Sequence, residues 1–339
     1  MLQNFGFMDQ TVSLPTKSIS IVAPCFNEQD CLEAFYQALS QTVAKLTGYQ
    51  FEFILVDDGS HDQTFAIAQK LARQDNRVKI ISFSRNFGHQ SALLAGMDAA
   101  SGQAVITMDS DLQHPPELIP QLVQSWEQGF DIVSALRRDT ADATLFKKMA
   151  SRGFYSFINR ISSIAITPTA DFRLMDRLAV DGYLQLREYH RFNRGLIDWI
   201  GFRTTTIPFE APARFAGQTK FSVVRMARFA LHALVSFSVF PLRLAIFLGL
   251  FIAFLAGGYA IYAVYAMLVL RSTLPGWTSL AVTMLLLGGV QLICLGLVGE
   301  YVGKIFEEAK HRPLYVIRRR EGFDPPPSSR PKSVIQESK

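Results

Sequence analysis

The chain has 339 residues, of which 49% are apolar and 19% are charged, so a largely disordered protein is excluded and two domains, or one domain with an appendage, are expected. Its three cysteines are too few for a disulfide scaffold and have no metal-ligand spacing. The net charge of +5 lies wholly in residues 310–339, which excludes a basic folded domain for nucleic acid and suits an anionic membrane surface.

Residues 1–17 lack the basic start and the continuous apolar core of a signal peptide. We therefore predict a flexible N-terminal arm, followed by a domain that stays in the cytosol.

Residues 18–220 alternate short apolar runs with amphipathic segments. The apolar runs predict strands at 18–24, 51–58, 78–84, 104–111 and 131–136, and the segments between them predict helices at 28–46, 63–74, 89–100 and 116–129. This alternation predicts an α/β domain with a mostly parallel, Rossmann-like sheet and helices on both faces. Ligands of such sheets bind at the carboxyl ends of the strands.

The C-terminal third is apolar in two long runs. Residues 244–270 contain no charged residue over 27 positions, and residues 279–299 contain none over 21. Each run exceeds the roughly 18–20 apolar residues that cross a bilayer. We predict a transmembrane hairpin with helices at 244–270 and 279–301, rather than two buried core helices, which rarely lack a polar face over this length.

The charges that flank the hairpin predict its orientation. Basic residues precede and follow it, whereas the connecting loop has only Arg271, so both termini and the 18–220 domain are expected in the cytosol of a multi-pass inner-membrane protein. Residues 221–243 predict an amphipathic helix in the headgroup region, although an ordinary core helix fits the same pattern. Residues 302–339 predict a basic cytosolic tail.

Polar residues follow several of the predicted strands. Asp109 and Asp111 come after the apolar run at 104–108, and two such carboxylates can converge on a divalent cation that also binds a diphosphate. Asp57–Asp58 can bind a base or ribose, or cap the next helix. Asn27–Glu28 can contact a nucleoside or cap a helix equally well. These strand ends predict a nucleotide site.

The sequence also bears on acid–base catalysis by histidine and on dinucleotide-dependent dehydrogenation. Histidines in loops are more often solvated than catalytic, and His114 has the best position for acid–base work because it follows the aspartate pair. No G-x-G-x-x-G follows the first strand, which excludes a dinucleotide-dependent dehydrogenase.

Seven motifs in order carry a family resemblance. They are VAPCFNE, VDDGSHD, SFSRNFGHQSALLAGMDAA, TMDSDLQHPPELIP, ADFRLMDR, RFAGQTKFS and GEYVGKIFEEAKHRPLYVI, spread over about residues 18–320. The chain resembles family 2 glycosyltransferases with the GT-A fold, and among them the polyprenyl-phosphate glycosyltransferases. The C-terminal hairpin favours the bactoprenol glucosyltransferase branch over single-domain dolichol-phosphate mannose synthases.

The resemblance implies a role for each matching residue. Donor binding is assigned to Pro24, Asn27, Glu28, Asp57, Asp58, Arg85, Asp109, Ser110, Asp111, Gln113, Arg214 and Lys220. The metal, Mg²⁺ or Mn²⁺, is assigned to Asp109, Asp111 and Gln113. The acceptor phosphate is assigned to Arg137, Arg138 and Arg173. Lys147 is a further acceptor-phosphate candidate for a different reason, since it lies in a basic, aromatic-rich stretch at 145–166 that is expected at the lipid surface, where it could equally serve only to anchor the domain. Asp111 and Asp171 are the catalytic candidates, and Asp171 is expected either to take a proton or to position the acceptor.

The implied reaction moves one hexose from a nucleotide sugar, with UDP-glucose the leading donor, to undecaprenyl phosphate in the membrane. GDP-mannose and a UDP-aminopentose remain alternative donors, and a non-enzymatic membrane scaffold is the alternative from another class. A phosphate monoester is already an anion at neutral pH, because its second pKa is about 6, so its approach needs cationic residues more than a general base. A homo-oligomer, possibly a tetramer, is expected, and no nucleic-acid partner.

Overall fold

The computed structural model describes residues 16–138, 170–189, 191, 193–210, 240–269 and 276–323. Three predicted site residues lie outside these ranges: Lys147, Arg214 and Lys220. Most of the N-terminal arm and nearly all of the amphipathic helix predicted at 221–243 also lie outside them.

Eight strands form one sheet: β1 (Lys17–Cys25), β2 (Tyr49–Asp57), β3 (Val78–Phe83), β4 (Ala104–Thr107), β5 (Ile132–Arg138), β6 (Arg173–Asp176), β7 (Thr204–Glu210) and β8 (Ile317–Glu321). The helices of the described residues are α1 (Leu32–Val43), α2 (Thr64–Gln74), α3 (His89–Ala99), α4 (Ile119–Glu127), α5 (Arg177–Leu184), α6 (Asn193–Trp199), α7 (Phe240–Leu268) and α8 (Trp277–Ala309). A short 3-10 helix, Pro116–Leu118, precedes α4. The five predicted strands and four predicted helices are confirmed as elements.

The sheet has the order β7-β5-β6-β4-β1-β2-β3-β8. Its centre, β4-β1-β2-β3, is parallel throughout, so the carboxyl ends of these four strands share one edge. The remaining pairings are antiparallel, apart from β5 with β7. The α/β class is confirmed, and the sheet is mixed: parallel in its centre and largely antiparallel towards both edges.

Apolar side chains pack on both faces of the sheet. Within β1, Ile19 and Ile21 belong to a cluster that includes residues of α1, α2 and α4, whereas Val22 belongs to a cluster with α3, α5 and α6. Successive strand residues point to opposite faces, so one strand supplies both layers. Helices on both faces are therefore confirmed.

Three strands were absent from the sequence prediction. β6 has only four residues, and β7 begins with three threonines and contains a proline, so neither shows a clear apolar alternation. β8 reads Ile-Arg-Arg-Arg-Glu and lies at the sheet edge against β3. Its charges stay in solvent because an edge strand is paired on one side only.

The C-terminal region consists of two long helices, and where their side chains are described they are largely exposed and apolar. α7, with 29 residues, starts four residues before the predicted span at 244–270 and ends two residues before the end of that span. α8, with 33 residues, extends beyond the predicted span at 279–301 on both sides. Within the part of the chain that the structure describes, Leu286–Ala309 is the stretch long and apolar enough to cross a membrane. The predicted tail at 302–339 starts inside α8, and its next segment is β8 of the sheet rather than a free extension.

Candidate active site

A cavity of about 360 Å³ lies at the carboxyl ends of β1 to β4, and we call it the strand-end cavity. Six residues predicted to bind the donor line it: Pro24, Glu28, Asp58, Asp109, Ser110 and Asp111. The turn after β3 adds Asn86, Gly88 and His89, and β1 and its following loop add Cys25 and Phe26. The four parallel strand ends bring these separate segments together, as the topology predicts.

Two histidines hold Asp109. His89 Nε2 lies 2.7 Å from Asp109 Oδ1, and the Asp109 backbone N–H donates to His114 Nδ1 over 2.9 Å. Burial by itself would lower the pKa of His89, but the hydrogen bond and charge of Asp109 raise it. Burial lowers the pKa of His114 despite the surrounding carboxylates, so His114 is a neutral acceptor. His114 therefore orients Asp109 and does not present Nδ1 for the acid–base role considered from the sequence.

Asp111 is tied to Gln113 and, through it, to the end of β5. The Gln113 backbone N–H donates to Asp111 Oδ1 over 3.1 Å, and its side-chain amide also donates to Asp111. Gln113 Oε1 accepts from Arg137 Nη1 at 3.4 Å. The oxygen expected to bind metal is thus directed towards a guanidinium, and Gln113 does not line the strand-end cavity.

Four carboxylates line the cavity: Glu28, Asp58, Asp109 and Asp111. Burial raises the pKa of Glu28, and the charges of Asp111 and Asp109 raise it further, against a lowering hydrogen bond from the Cys31 thiol. The described residues contain no set of three His, Cys, Asp or Glu side chains arranged as metal ligands. Two neighbouring aspartates suit Mg²⁺ or Mn²⁺, which completes its coordination with water and substrate phosphate oxygens.

Asn27, Asp57 and Asp58 connect the loops that surround the cavity. Asn27 Oδ1 accepts the His61 backbone N–H over 2.9 Å. Asp57 accepts from the Ser60 backbone N–H and the Ser82 hydroxyl, and Asp58 accepts from the backbone N–H groups of residues 87 and 88. These hydrogen bonds fix the loops after β1, β2 and β3 against one another.

Gly59 allows the closest of these loop contacts. Its φ is +70°, and a Cβ atom added there would lie 2.5 Å from the carbonyl carbon of Arg85. A side chain at this position would therefore separate the loops after β2 and β3.

Asp171 lies between two arginines. Arg173 Nη2 is 3.3 Å from one carboxylate oxygen, and Arg194 Nη2 is 3.4 Å from the other. Arg173 is 2% exposed and also donates to the Ala170 carbonyl, so it does not suit the predicted contact with an acceptor phosphate. The carboxylate is held in place on both sides, which favours positioning over proton transfer.

The structure separates the other predicted residues from the strand-end cavity. Asn27, Asp57, Arg85, Gln113, Arg137, Arg138, Asp171 and Arg173 do not line it. Arg85 lines a neighbouring cavity instead. Arg137 stays connected to Asp111 through Gln113, and Arg138 ends β5.

Two residues at the site, His89 and Arg194, were not assigned from the sequence. His89 starts α3 directly after the turn that follows β3, so the strand-end argument could have included it. Arg194 lies in a seven-residue helix outside every quoted motif, and only the fold brings it to Asp171.

Comparison with known proteins gives two family matches. Residues 20–183 match the family model described as Glycosyl transferase family 2. Residues 240–305 match the model described as GtrB C-terminal hairpin. The first match covers β1 to β6 and the helices from α1 to nearly the end of α5, and the second covers α7 with most of α8.

Curated relatives match over most of their length. An uncharacterized glycosyltransferase of Synechocystis is 44% identical over 303 residues, covering 89% of this chain and 95% of the relative. A bactoprenol glucosyl transferase of Shigella phage SfV is 40% identical, covering 88% and 98%. A solved glucosyl-3-phosphoglycerate synthase of Mycobacterium tuberculosis is 18% identical, with a TM-score of 0.47, covering 70% of this chain and 85% of that one.

Proposed function

The chain belongs to glycosyl transferase family 2, and we propose that it transfers glucose from UDP-glucose to a polyprenyl phosphate at the cytosolic face of the membrane. The observation that carries the proposal is the pair of aspartates, Asp109 and Asp111, that lines the strand-end cavity. The same protein has two long apolar helices, which suit an acceptor in the membrane. A relative named bactoprenol glucosyl transferase supports the acceptor, since it aligns over the helices as well as the sheet domain.

The donor is held by the residues of the strand-end cavity. Asp109 and Asp111 would hold Mg²⁺ or Mn²⁺, which when bound neutralises the diphosphate and stabilises the departing nucleoside diphosphate as a Lewis acid. His89 and His114 fix Asp109, and Gln113 fixes Asp111, so both carboxylates are oriented before the donor arrives. The loops linked by Asn27, Asp57 and Asp58 shape the nucleoside end.

The transfer step needs no strong base. An oxygen of the acceptor phosphate attacks the anomeric carbon while the bond from that carbon to the diphosphate breaks, so the configuration inverts and the nucleoside diphosphate leaves with the electron pair. Asp171, held by Arg173 and Arg194, positions the acceptor for this step. Arg137, linked to the Asp111 turn through Gln113, adds positive charge on the acceptor side.

A donor screen tests the proposal. Purified full-length protein is offered UDP-glucose, UDP-galactose or GDP-mannose with undecaprenyl phosphate, with Mg²⁺, Mn²⁺ or a chelator, and the sugar in the lipid fraction is counted. We expect transfer from UDP-glucose that the chelator abolishes. Transfer from GDP-mannose alone would replace the donor, transfer at full rate in chelator would overturn the metal assignment, and no transfer from any donor would overturn the function.

A further inference from the structure

The segment that follows α8 is attached to the sheet domain by three polar side chains, which we call the clasp: Asp98, Arg187 and Tyr315. Arg187 donates to both carboxylate oxygens of Asp98, with Nη1 2.7 Å from Oδ2 and Nη2 2.6 Å from Oδ1. The Tyr315 hydroxyl donates to Asp98 Oδ2 over 2.6 Å. Burial and the hydrogen bond to Asp98 raise the pKa of Tyr315, so its hydroxyl stays protonated and donates at neutral pH.

The tyrosine of the clasp also packs against the end of β3. Its ring stacks on Phe83, with the ring centres 5.2 Å apart and the ring planes 13° from parallel. Phe83 is 1% exposed, and its ring meets Phe87 edge-on at 5.6 Å. The Ser84 backbone N–H donates to the Val316 carbonyl over 3.0 Å. Residues 315 and 316 are therefore held through a ring, a hydroxyl and the backbone together.

The clasp lies between the long apolar helix and the strand-end cavity. α8 ends at Ala309, six residues before Tyr315, and its stretch Leu286–Ala309 is long and apolar enough to cross a membrane. On the other side, Asp98 belongs to the last turn of α3, and the first residue of α3, His89, lines the strand-end cavity. The central residues of α3 are buried, and the helix spans about 14 Å between these two positions. One buried helix thus connects the clasp to a wall of the cavity.

We propose that the clasp fixes the sheet domain to the end of α8, so that the strand-end cavity keeps a set height and tilt above the membrane. The inference rests on the proposed function, because it assigns to Asp98, Arg187 and Tyr315 a positioning role in transfer to a lipid acceptor. Without the clasp, residues 310–316 would join α8 to β8 as a tether that spans up to about 23 Å when extended. Reacting atoms must approach to about 3–3.5 Å, so a loosely tethered cavity meets a membrane-bound acceptor less often. An acceptor in solution reaches the cavity at any height.

A second cluster of the same composition offers a matched control. The Tyr36 hydroxyl donates to Asp75 Oδ2 over 2.7 Å, and Arg77 Nε lies 3.0 Å from both oxygens of Asp75. The Tyr36 ring meets Phe53 edge-on. All four residues lie between the start of α1 and the start of β3, so the loss of this cluster removes the same kinds of contact without releasing α8.

The test compares Tyr315→Ala and Asp98→Asn with Tyr36→Ala and Asp75→Asn in the full-length protein. Sugar transfer from UDP-glucose is measured with two acceptors: undecaprenyl phosphate in phosphatidylcholine vesicles, and a short prenyl phosphate free in solution. Hydrogen–deuterium exchange in the same vesicles, without substrate, follows the Ser84 amide that donates to residue 316. Thermal unfolding shows which variants are folded, and Asp98→Asn, the milder change, decides the test if Tyr315→Ala does not fold.

We expect the clasp variants to speed exchange at Ser84 about 10-fold or more, the size of a lost hydrogen bond to a charged group. Transfer in vesicles should fall about 10-fold, while the donor KM and transfer to the soluble acceptor stay within about twofold of the wild-type values. The control variants should leave Ser84 exchange unchanged and affect both acceptors equally.

Three results would overturn the inference: an equal loss with both acceptors in the clasp variants, no loss with either acceptor, or the same vesicle-specific loss in the control variants. The proposed function fails separately, if the wild-type protein transfers sugar to neither acceptor. A wild-type protein that is active beside clasp variants that are equally active removes the clasp alone.

Discussion

The strand-end cavity shares Asn86 and Gly88 with a neighbouring cavity of about 370 Å³ that Arg85 and Arg312 line, but the two cavities differ in charge and in origin. The first is lined by carboxylates from turns that follow the parallel strands, within one continuous part of the chain. The second combines Arg85 with Arg312, which are 227 positions apart and on opposite sides of the two apolar helices in the sequence. The difference shows that sheet topology alone brings the carboxylates of the first cavity together, whereas the arginines of the second meet only because the chain returns to the sheet after the helices.

The largest effect is expected at the carboxylate cluster. Asp111→Asn should lower sugar transfer at least about 1000-fold, because the proposed metal site would lose one of its two charged ligands and the leaving diphosphate would be less stabilised. Radiolabelled transfer to undecaprenyl phosphate measures it. Asp30→Asn is the matched control, since Asp30 is exposed and does not line the cavity. Equal activity of the two variants would show that the Asp111 carboxylate of the strand-end cavity is not needed for sugar transfer.

A smaller effect, on stability, is expected at Asp171. Asp171→Asn should lower the free energy of unfolding by about 3 kcal/mol, because Arg173 is buried and loses its charged partner. Denaturant unfolding in detergent measures it. The control Asp181→Asn breaks an exposed ion pair with Arg177 and should cost less than about 1 kcal/mol. Similar costs for both variants would mean that Asp171 does not compensate the buried arginine, and would leave it free for chemistry.

The smallest effect is expected at Glu28 and depends on pH. Its pKa is raised in the folded protein by burial and by the charges of Asp111 and Asp109, so the folded state binds more protons than the unfolded state just above the ordinary carboxyl pKa. Stability should therefore fall as the pH rises through that range and stay lower at neutral pH. In chelator, Glu28→Gln should stabilise the protein at pH 8, by less than about 1 kcal/mol because solvent screens a partly exposed group, and less at pH 4.

Thermal unfolding at both pH values checks the Glu28 prediction, with Glu33→Gln on the exposed face of α1 as the control. A stabilisation of equal size at both pH values would show that the carboxylate cluster exerts no net repulsion on Glu28.

The sequence predicted the parallel centre of the sheet because β1 to β4 are apolar runs separated by amphipathic helices. It placed Glu28, Asp58, Asp109 and Asp111 together for the same reason. It did not predict β8, since Arg318–Arg320 has no apolar alternation. Three consecutive arginines fit in this strand because β8 lies at the sheet edge, where their side chains stay in solvent. It could not predict the neutral His114 or the buried Arg173, because both depend on packing between distant segments.

The pairing of β8 with β3 has a consequence for how the protein is made. β8 is translated after α7 and α8, so the ribosome releases the last strand of the sheet only once both apolar helices have been synthesised. Until then β3 is paired only with β2, and its outer edge, from Ile80 to Phe83, can pair with another nascent chain. A fragment that stops before residue 244 keeps that open edge permanently, so we expect such a fragment to aggregate whether or not lipid is present.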